Sequence, residues 1–249
     1  MSIELRDVHK AFGHQKVLDG FTLNVADRSI TTIIGGSGAG KSTILKCIIG
    51  LVDIDRGEIH VDGQRVDNLT GEALYDVRRK VGFVFQFAAL FDSMTISENV
   101  AMGLKRMREF SDREIADRVS DALARVDLEG AGDKFPSQLS GGMRKRAGLA
   151  RAIALRPRYL LYDEPTTGLD PLTVTMVDRL ILRMRDELDV TSLVITHDMQ
   201  SAERISDHVA MLQAGRVRWQ GTPADLATAD DAMVRAFVEG RPELLGEVA

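Results

Sequence analysis

The first part of the chain alternates apolar and polar side chains in short runs, which is typical of strands that bury one face of a sheet. Residues 3–34 follow this alternation, and residues 57–63 repeat it up to the turn pair Asp62-Gly63. Other runs are apolar or β-branched throughout, a pattern that favours buried strands. These runs lie at 29–34, 81–85, 159–162 and 192–196.

Helical spacing replaces this pattern between about 95 and 156. Ser97 and Ser111 are predicted to begin two helices, and Glu114 completes a capping box with Ser111. Further helices are predicted at 42–49, 140–153, 171–188 and around 232–238. A last hairpin is predicted from 209–212 and 216–219, around Ala214-Gly215.

A glycine-rich segment lies between a predicted strand and a predicted helix. Residues 35–42 fit the phosphate-binding pattern G-x-x-x-x-G-K-[ST], whose backbone N–H groups and helix N-terminus attract phosphate. Lys41 should reach the β- and γ-phosphates, and the Ser42 hydroxyl should reach Mg²⁺. The alternative, an ordinary glycine-rich turn, does not need this strand–turn–helix context. The predicted nucleotide-binding residues here are Gly35, Gly36, Ser37, Gly38, Ala39, Gly40, Lys41, Ser42 and Thr43.

Strands separated by helices indicate an α/β nucleotide-binding fold with a parallel sheet. The predicted class is a P-loop NTPase core of the RecA-like type, with an N-terminal antiparallel β-subdomain and an inserted α-helical subdomain at about 87–155. Residues 1–239 are expected to form one domain, and 240–249 a C-terminal tail.

Polar residues follow three of the buried strands, where parallel sheets bind ligands. Asp163 is the expected Mg²⁺ contact, and Glu164 the expected general base for the attacking water. His197 is predicted to contact the γ-phosphate, although a lone His is more often structural. Gln86 is predicted to contact both Mg²⁺ and the water. The metal ligands are therefore Ser42, Gln86 and Asp163, and the catalytic residues Glu164, His197 and Gln86.

Ser140-Gly141-Gly142 begins a predicted helix and forms a second candidate phosphate site. The alternative is that Ser140 only caps the helix. The following run 144–146 is basic; we expect either attraction to phosphate or an acidic partner, or a solvated face. Phe12 is expected to stack on adenine, with core packing as the alternative.

Composition narrows the class of protein. The chain has 249 residues, 44% of them hydrophobic, and a net charge of −5, which argues weakly against a nucleic-acid partner. Cys47 is the only cysteine, so no internal disulfide forms. We find no apolar stretch of membrane-spanning length and no secretion signal, and we expect a cytoplasmic protein whose membrane role comes through a partner.

Taken together, these motifs resemble the ATPase subunit of ATP-binding cassette (ABC) transporters over nearly the whole chain. Residues 35–42 look like Walker A, 139–143 like the signature, and 159–164 like Walker B with its catalytic glutamate. Gln86 and His197 look like the Q-loop and switch residues of the family, 168–170 like its D-loop, and Phe12 matches its adenine-stacking position, where Tyr is usual. The resemblance implies a head-to-tail homodimer that encloses two ATP molecules, and membrane permease partners.

A finer resemblance, to the ATPase of Mla-type phospholipid transporters, rests on two segments, 85–95 and 139–146. Met143 stands where the usual signature has Gln, as in this subfamily. The resemblance implies that the segment after Gln86 docks on the membrane subunit, with Phe87, Leu90 and Phe91 exposed; their alternative is core packing. It also implies an Mce-domain lipid-binding partner, a small regulatory subunit, and a peripheral location on the cytoplasmic side of the inner membrane.

Two other functions remain as alternatives. One is a motor for import of small solutes such as amino acids, which only the two segments above discriminate against. The other is a soluble cassette protein acting on DNA or ribosomes; the single cassette and the negative net charge disfavour it.

Overall fold

The computed structural model describes residues 3–241, and a six-stranded sheet forms its centre. Five of its strands pair in parallel, and their residues are buried almost throughout, which explains their largely apolar sequences. The last two strands form the predicted antiparallel hairpin. In chain order the strands are β3 (Ile30–Ile34), β6 (Val81–Val84), β7 (Tyr159–Asp163), β8 (Thr191–Ile195), β9 (His208–Gln213) and β10 (Arg216–Gly221). Their spatial order is β10-β9-β3-β8-β7-β6.

A second sheet is antiparallel and has four strands, in the order β2-β1-β4-β5. Alternation along the first strand puts Ile3 and Leu5 on the buried face, and a register shift after Leu5 brings Val8 to the same face. The strands are β1 (Ile3–Phe12), β2 (Gln15–Val25), β4 (Arg56–Val61) and β5 (Gln64–Arg65). The predicted fold class, an α/β core with an N-terminal antiparallel sheet, is confirmed.

Nine α-helices lie within residues 3–241. They are α1 (Lys41–Ile48), α2 (Gly71–Arg79), α3 (Ile96–Met107), α4 (Asp112–Arg125), α5 (Gly141–Ile153), α6 (Pro171–Leu188), α7 (Met199–Ile205), α8 (Pro223–Ala227) and α9 (Ala232–Glu239). Helices α3, α4 and α5 follow one another in the stretch where the helical insertion is predicted. Across the described chain, none of these helices is long and apolar enough to cross a membrane.

The start of α3 corrects the prediction that Ser97 begins this helix. Thr95 is the N-cap: its hydroxyl accepts from the Glu98 N–H, and the Glu98 carboxylate accepts from the Thr95 N–H at 2.8 Å. The N–H of Ser97 donates instead to the Gly132 carbonyl. Thr95 and Glu98 have the spacing of a capping box, so the sequence does contain this signal. The box of Ser111 and Glu114 at α4 is confirmed.

Three short helices, α2, α7 and α8, are absent from the sequence-based predictions. Each has five to nine residues, and in α2 only Val77 is buried. Too few apolar positions recur in such a helix for a period to be visible.

Alternate residues of β7 pack into different cores on the two faces of the central sheet. Leu160 and Tyr162 join the cluster around α3–α6, whereas Tyr159 and Leu161 join the cluster shared with α1 and the antiparallel sheet. Because both faces are covered, the exposed carboxyl edge of the sheet is the place where polar residues gather.

Replacing Ser111 with Ala removes the side-chain acceptor at the start of α4. We expect the free energy of unfolding to fall by about 1 kcal/mol. For a chain of this size, that corresponds to a Tm lower by about 2–4 °C. Ser120→Ala makes the same chemical change at an exposed position inside α4 and should leave Tm unchanged or slightly raised. Equal losses of Tm in the two variants by calorimetry would contradict the capping role.

Candidate active site

The residues predicted from distant motifs meet at the carboxyl edge of the central sheet. A cleft of about 760 Å³ is lined by residues 35–43, Gln86, Glu164 and His197. The loops after β3, β6, β7 and β8 supply these groups. Phe12, Val17 and Phe237 complete the walls. Val17 and Phe237 are additions that the motifs do not predict; Phe237 appears in the sequence only as part of a helical pattern.

The backbone of the phosphate loop needs glycine for close approach. A Cβ on Gly40 would lie 2.4 Å from the Val17 side chain, and one on Gly35 would lie 2.5 Å from the Leu212 carbonyl oxygen. Gly40 also has a φ of +98°, and it precedes α1 directly. The loop therefore presents its backbone at a helix N-terminus, an arrangement that binds anions.

Lys41 is the first residue of α1, and its side chain extends back across the phosphate loop. Its Nζ donates to the Gly35 carbonyl at 2.8 Å and to the Gly36 carbonyl at 3.0 Å. Burial lowers the pKa of the ammonium, while the charges of Glu164 and Asp163 act in the opposite direction. The ammonium is thus held inside the loop where a phosphate can reach it.

Ser42 and Asp163, 121 positions apart in sequence, are joined by a hydrogen bond. The Ser42 hydroxyl donates to a carboxylate oxygen of Asp163 at 2.6 Å. Ser42 and Gln86 line the cleft, whereas Asp163 is not among the lining residues and reaches the cleft through this hydrogen bond. A hydroxyl, an amide oxygen and a carboxylate are hard oxygen donors of the kind that suits Mg²⁺. The residues present therefore fit a magnesium ion.

Glu164 has a backbone conformation that is uncommon for its residue type, with φ +50°. Its carboxylate accepts from the Thr167 hydroxyl at 3.1 Å and lies 2.8 Å from His197 Nδ1. Its second oxygen lies 3.9 Å from Lys41 Nζ. Glu164 is thus fixed by several partners beside the phosphate loop, and such strained positions are found at active sites. Thr167 is a further residue that the motifs do not identify.

Ser140, Gly141 and Gly142 are not among the residues that line this cleft. Ser140 is exposed and caps α5, its hydroxyl accepting from the Met143 N–H at 3.3 Å. A Cβ on Gly142 would lie 2.5 Å from Cγ2 of Thr173, so this glycine also serves close packing against α6. Within one chain, the capping role of Ser140 is therefore the one observed.

The basic run 144–146 is only in part the solvated face given as its alternative, since Arg144 is exposed, Arg146 is half-buried and Lys145 is buried. All three side chains donate to backbone carbonyls: Arg144 to Leu139, Lys145 to Gln86 and Glu164, and Arg146 to Val126 and Asp127. Lys145 is buried. Within one chain the run ties loops to α5, and its attraction to phosphate or to an acidic partner stays a prediction.

The apolar side chains predicted to contact adenine or the membrane subunit differ in exposure. Phe12 is 51% exposed at the cleft, so the core alternative is wrong for it. Phe87 and Phe91 are also exposed, at 83% and 52%. Leu90 instead packs against the core between the sheet and the helices, where the core alternative is correct.

Comparison with known sequences finds a transporter family and several related proteins. A profile described as "ABC transporter" matches residues 18–167. The "Probable ribonucleotide transport ATP-binding protein mkl" of Mycobacterium tuberculosis is 39% identical over 97% of this chain and 67% of its own length. "Protein TRIGALACTOSYLDIACYLGLYCEROL 3, chloroplastic" of Arabidopsis thaliana is 39% identical over 96% of this chain and 73% of its own. The "Sulfate/thiosulfate import ATP-binding protein CysA" of Caulobacter vibrioides is 42% identical over 96% and 69%.

Solved structures of similar fold lead to the same family as the sequence comparison. The ATP-binding cassette MJ0796, in a dimeric post-hydrolysis state bound to ADP and Pi, superposes with a TM-score of 0.81 at 32% identity, covering 89% of this chain and 98% of that one. The protein cbiO1 from Clostridium perfringens, part of the ABC transporter complex cbiONQ, gives a TM-score of 0.84 at 29% identity, covering 94% and 93%. Given these matches and the cleft described above, this chain belongs to the ABC transporter family, as an ATP-binding and ATP-hydrolysing subunit.

Proposed function

We propose that this subunit powers phospholipid transport across the cell envelope through a membrane permease. The assignment of ATP hydrolysis rests on the position of Glu164, whose carboxylate is held beside the phosphate loop by His197 and Thr167. A fixed carboxylate next to phosphate-binding groups is suited to orienting water for attack on the terminal phosphate.

The phosphate loop binds the nucleotide. Lys41 exchanges its bonds to the Gly35 and Gly36 carbonyls for bonds to the β- and γ-phosphates, since its ammonium is already inside the loop. Phe12 stacks on adenine from the exposed end of β1. Ser42, Asp163 and Gln86 hold Mg²⁺, and the chemistry it supplies when bound is neutralisation of charge on the phosphates.

Glu164 acts as the general base that takes a proton from the attacking water. His197, 60% exposed, touches Glu164 through Nδ1 and leaves its other ring nitrogen for the γ-phosphate. Because a phosphate oxygen accepts hydrogen bonds, the ring nitrogen that contacts it is one that carries a proton.

Ser140, Gly141 and Gly142 bind ATP held by a second copy of the chain. Two facts support this assignment: the segment is an exposed helix N-terminus, and it does not line the cleft of its own chain. A head-to-tail homodimer follows, and the solved relative bound to ADP and Pi is described as dimeric. We propose residues 1–239 as the cassette, 87–155 as its helical subdomain and 240–249 as the tail, of which 242–249 lie outside the described residues.

The exposed side chains of Phe87 and Phe91 form the docking surface for the permease. Docking there would hold the subunit at the cytoplasmic side of the inner membrane as a peripheral protein. The cbiO1 relative is described as part of a transporter complex, which supports a partner of this kind.

The proposal that the transported molecule is a lipid rests on three observations. Met143 follows Gly142 in the signature, the segment 85–95 resembles that of phospholipid transporters, and the name of the plant relative refers to a galactolipid. An Mce-domain protein and a small regulatory subunit are the further partners that this assignment implies. The second candidate is import of a small solute, which the sulfate/thiosulfate import relative favours.

Replacing Glu164 with Gln removes the base but keeps its shape. We expect kcat for ATP hydrolysis to fall on the order of 10²- to 10⁴-fold. ATP binding, measured by fluorescence titration, should persist. The matched variant Glu129→Gln, at an exposed site remote from the cleft, should retain wild-type turnover. Normal kcat in Glu164→Gln would refute the assigned role.

Replacing Phe87 with Ser should release the subunit from its membrane partner, because the exposed ring supplies apolar contact area. The measurement is the amount of permease that co-purifies with the tagged subunit from detergent-solubilised membranes. Leu51→Ser, which also removes an exposed apolar side chain, should keep the partner bound. Equal retention by the Phe87→Ser and wild-type proteins would exclude this docking surface.

The transported molecule can be identified from the purified complex. We expect mass spectrometry of the complex to detect bound phospholipid, and phospholipid added in vesicles to stimulate ATP hydrolysis. Stimulation by sulfate or an amino acid with a soluble solute-binding protein, and not by phospholipid, would support the second candidate instead.

A further inference from the structure

One side of α5 lies along the backbone that follows β6. Lys145, Gly148 and Arg151 are spaced three residues apart and therefore share a side of this helix. Lys145 Nζ donates to the Gln86 carbonyl at 2.5 Å, and a Cβ on Gly148 would lie 3.1 Å from Cβ of Ala88. Arg151 donates to the carbonyls of Ala88 and Ala89 at 2.7 and 2.6 Å. Helix α5 thus holds residues 86–89 along their length.

Lys145 has a second contact that Arg151 does not share. Its Nζ also donates to the backbone carbonyl of Glu164 at 3.2 Å. The side chain is 9% exposed, and a buried ammonium is costly unless polar groups surround it. One ammonium therefore joins three segments: α5, the Gln86 backbone and the Glu164 backbone.

The contact from Lys145 is made to Glu164, whose backbone is already constrained. Glu164 has a left-handed φ of +50°, and its N–H donates to the Ile195 carbonyl at 2.9 Å. Its carbonyl accepts from Lys145 and, at 3.3 Å, from the Thr167 N–H. Loss of the ammonium would leave the Thr167 N–H as the bond holding this carbonyl, and the direction of the carboxylate depends on the backbone from which it projects.

We propose that Lys145 is a positioning residue for ATP hydrolysis, which fixes the backbones of Gln86 and Glu164 and couples them to α5. This inference rests on the roles proposed above for Glu164 and for Ser140. Lys145 lies five residues after Ser140 on the same helix, which corresponds to about 7.5 Å along its axis. A shift of α5 that brings Ser140 onto the ATP of a second copy therefore moves the ammonium that holds Glu164 of its own site.

Arg151 extends this connection toward the permease. Ala88 and Ala89 both have left-handed backbones, with φ +59° and +49°, and Arg151 holds their carbonyls next to the exposed Phe87. The docking segment and Glu164 are therefore attached to the same rigid helix, at Arg151 and Lys145 respectively. Such a shared element is what coupling between two sites requires physically, and its test is a measured interaction energy.

The test compares Lys145→Met, which keeps the length and removes the donor, with Lys145→Arg, which keeps charge and donors. We expect Lys145→Met to lower kcat on the order of tenfold to a hundredfold, the effect of a small misplacement at a reacting centre. KM and the Kd for ATP should stay within about threefold of wild type, because ground-state binding is not affected. Lys145→Arg should recover most of the turnover.

Arg146→Met is the matched control, since Arg146 also donates to backbone carbonyls from α5 but contacts neither Gln86 nor Glu164. Its kcat should remain within about twofold of wild type even if its Tm falls. A purely structural role of Lys145 predicts parallel losses of Tm and kcat in both variants, and that result would overturn the proposal. If Lys145→Met unfolds, Lys145→Leu, which is shorter and also lacks a donor, gives the same comparison; wild-type kcat in it counts against the proposal.

A double variant separates this inference from the proposed function. In single-turnover measurements, Lys145→Met should add little to the loss caused by Glu164→Gln, because residues that act as a unit are not additive. Full additivity would overturn the positioning role while leaving Glu164 as the base. Normal turnover of Glu164→Gln alone would instead refute the proposed function.

Discussion

The site depends on the parallel pairing of β3, β6, β7 and β8, the buried strands whose loops carry its residues. Ile33 of β3 and Asp163 of β7 both pair with Ile195 of β8, so three strand ends that are far apart in sequence lie in one row. Glu164 extends this row through its hydrogen bond to the Ile195 carbonyl. Since a parallel sheet directs all its carboxyl ends to one edge, the phosphate loop, the acidic pair and His197 must meet there.

Buried charges at this edge compensate one another. Lys41, Lys145, Asp163 and Glu164 are each less than a tenth exposed, and each has polar partners in the loops around it. An isolated charge in such a place would be strongly unfavourable, so the groups stabilise the arrangement only as a set. This explains why Lys145 of α5 can donate to the backbone of Glu164, the residue assigned as base. The helical layer is joined to the site by a charge that the polar groups of the site stabilise.

Much of the candidate site was predictable from short motifs. Residues 35–42, Asp163, Glu164, Gln86 and His197 are recognisable because the chemistry of phosphate and metal binding restricts residue type and spacing. Thr167, Phe237 and Lys145 were not, since their roles arise from contacts between segments that no local spacing encodes. The misassigned Ser97 shows a different limit: two candidate caps lie two residues apart, and the Gly132 carbonyl that engages the Ser97 N–H is 35 positions away.

By itself, the sequence determined the class of fold and the nucleotide chemistry, because strand and helix periods and the glycine loop are local properties of the chain. The tertiary structure alone decided how the basic run 144–146 is used, which of Phe87, Leu90 and Phe91 are exposed, and that Ser140 is not in the cleft of its own chain. The physical reason is that a side chain's role depends on the backbone carbonyls and charges facing it. For α5 these come from loops after β6 and β7, which only the packing of the helical layer on the sheet brings within reach.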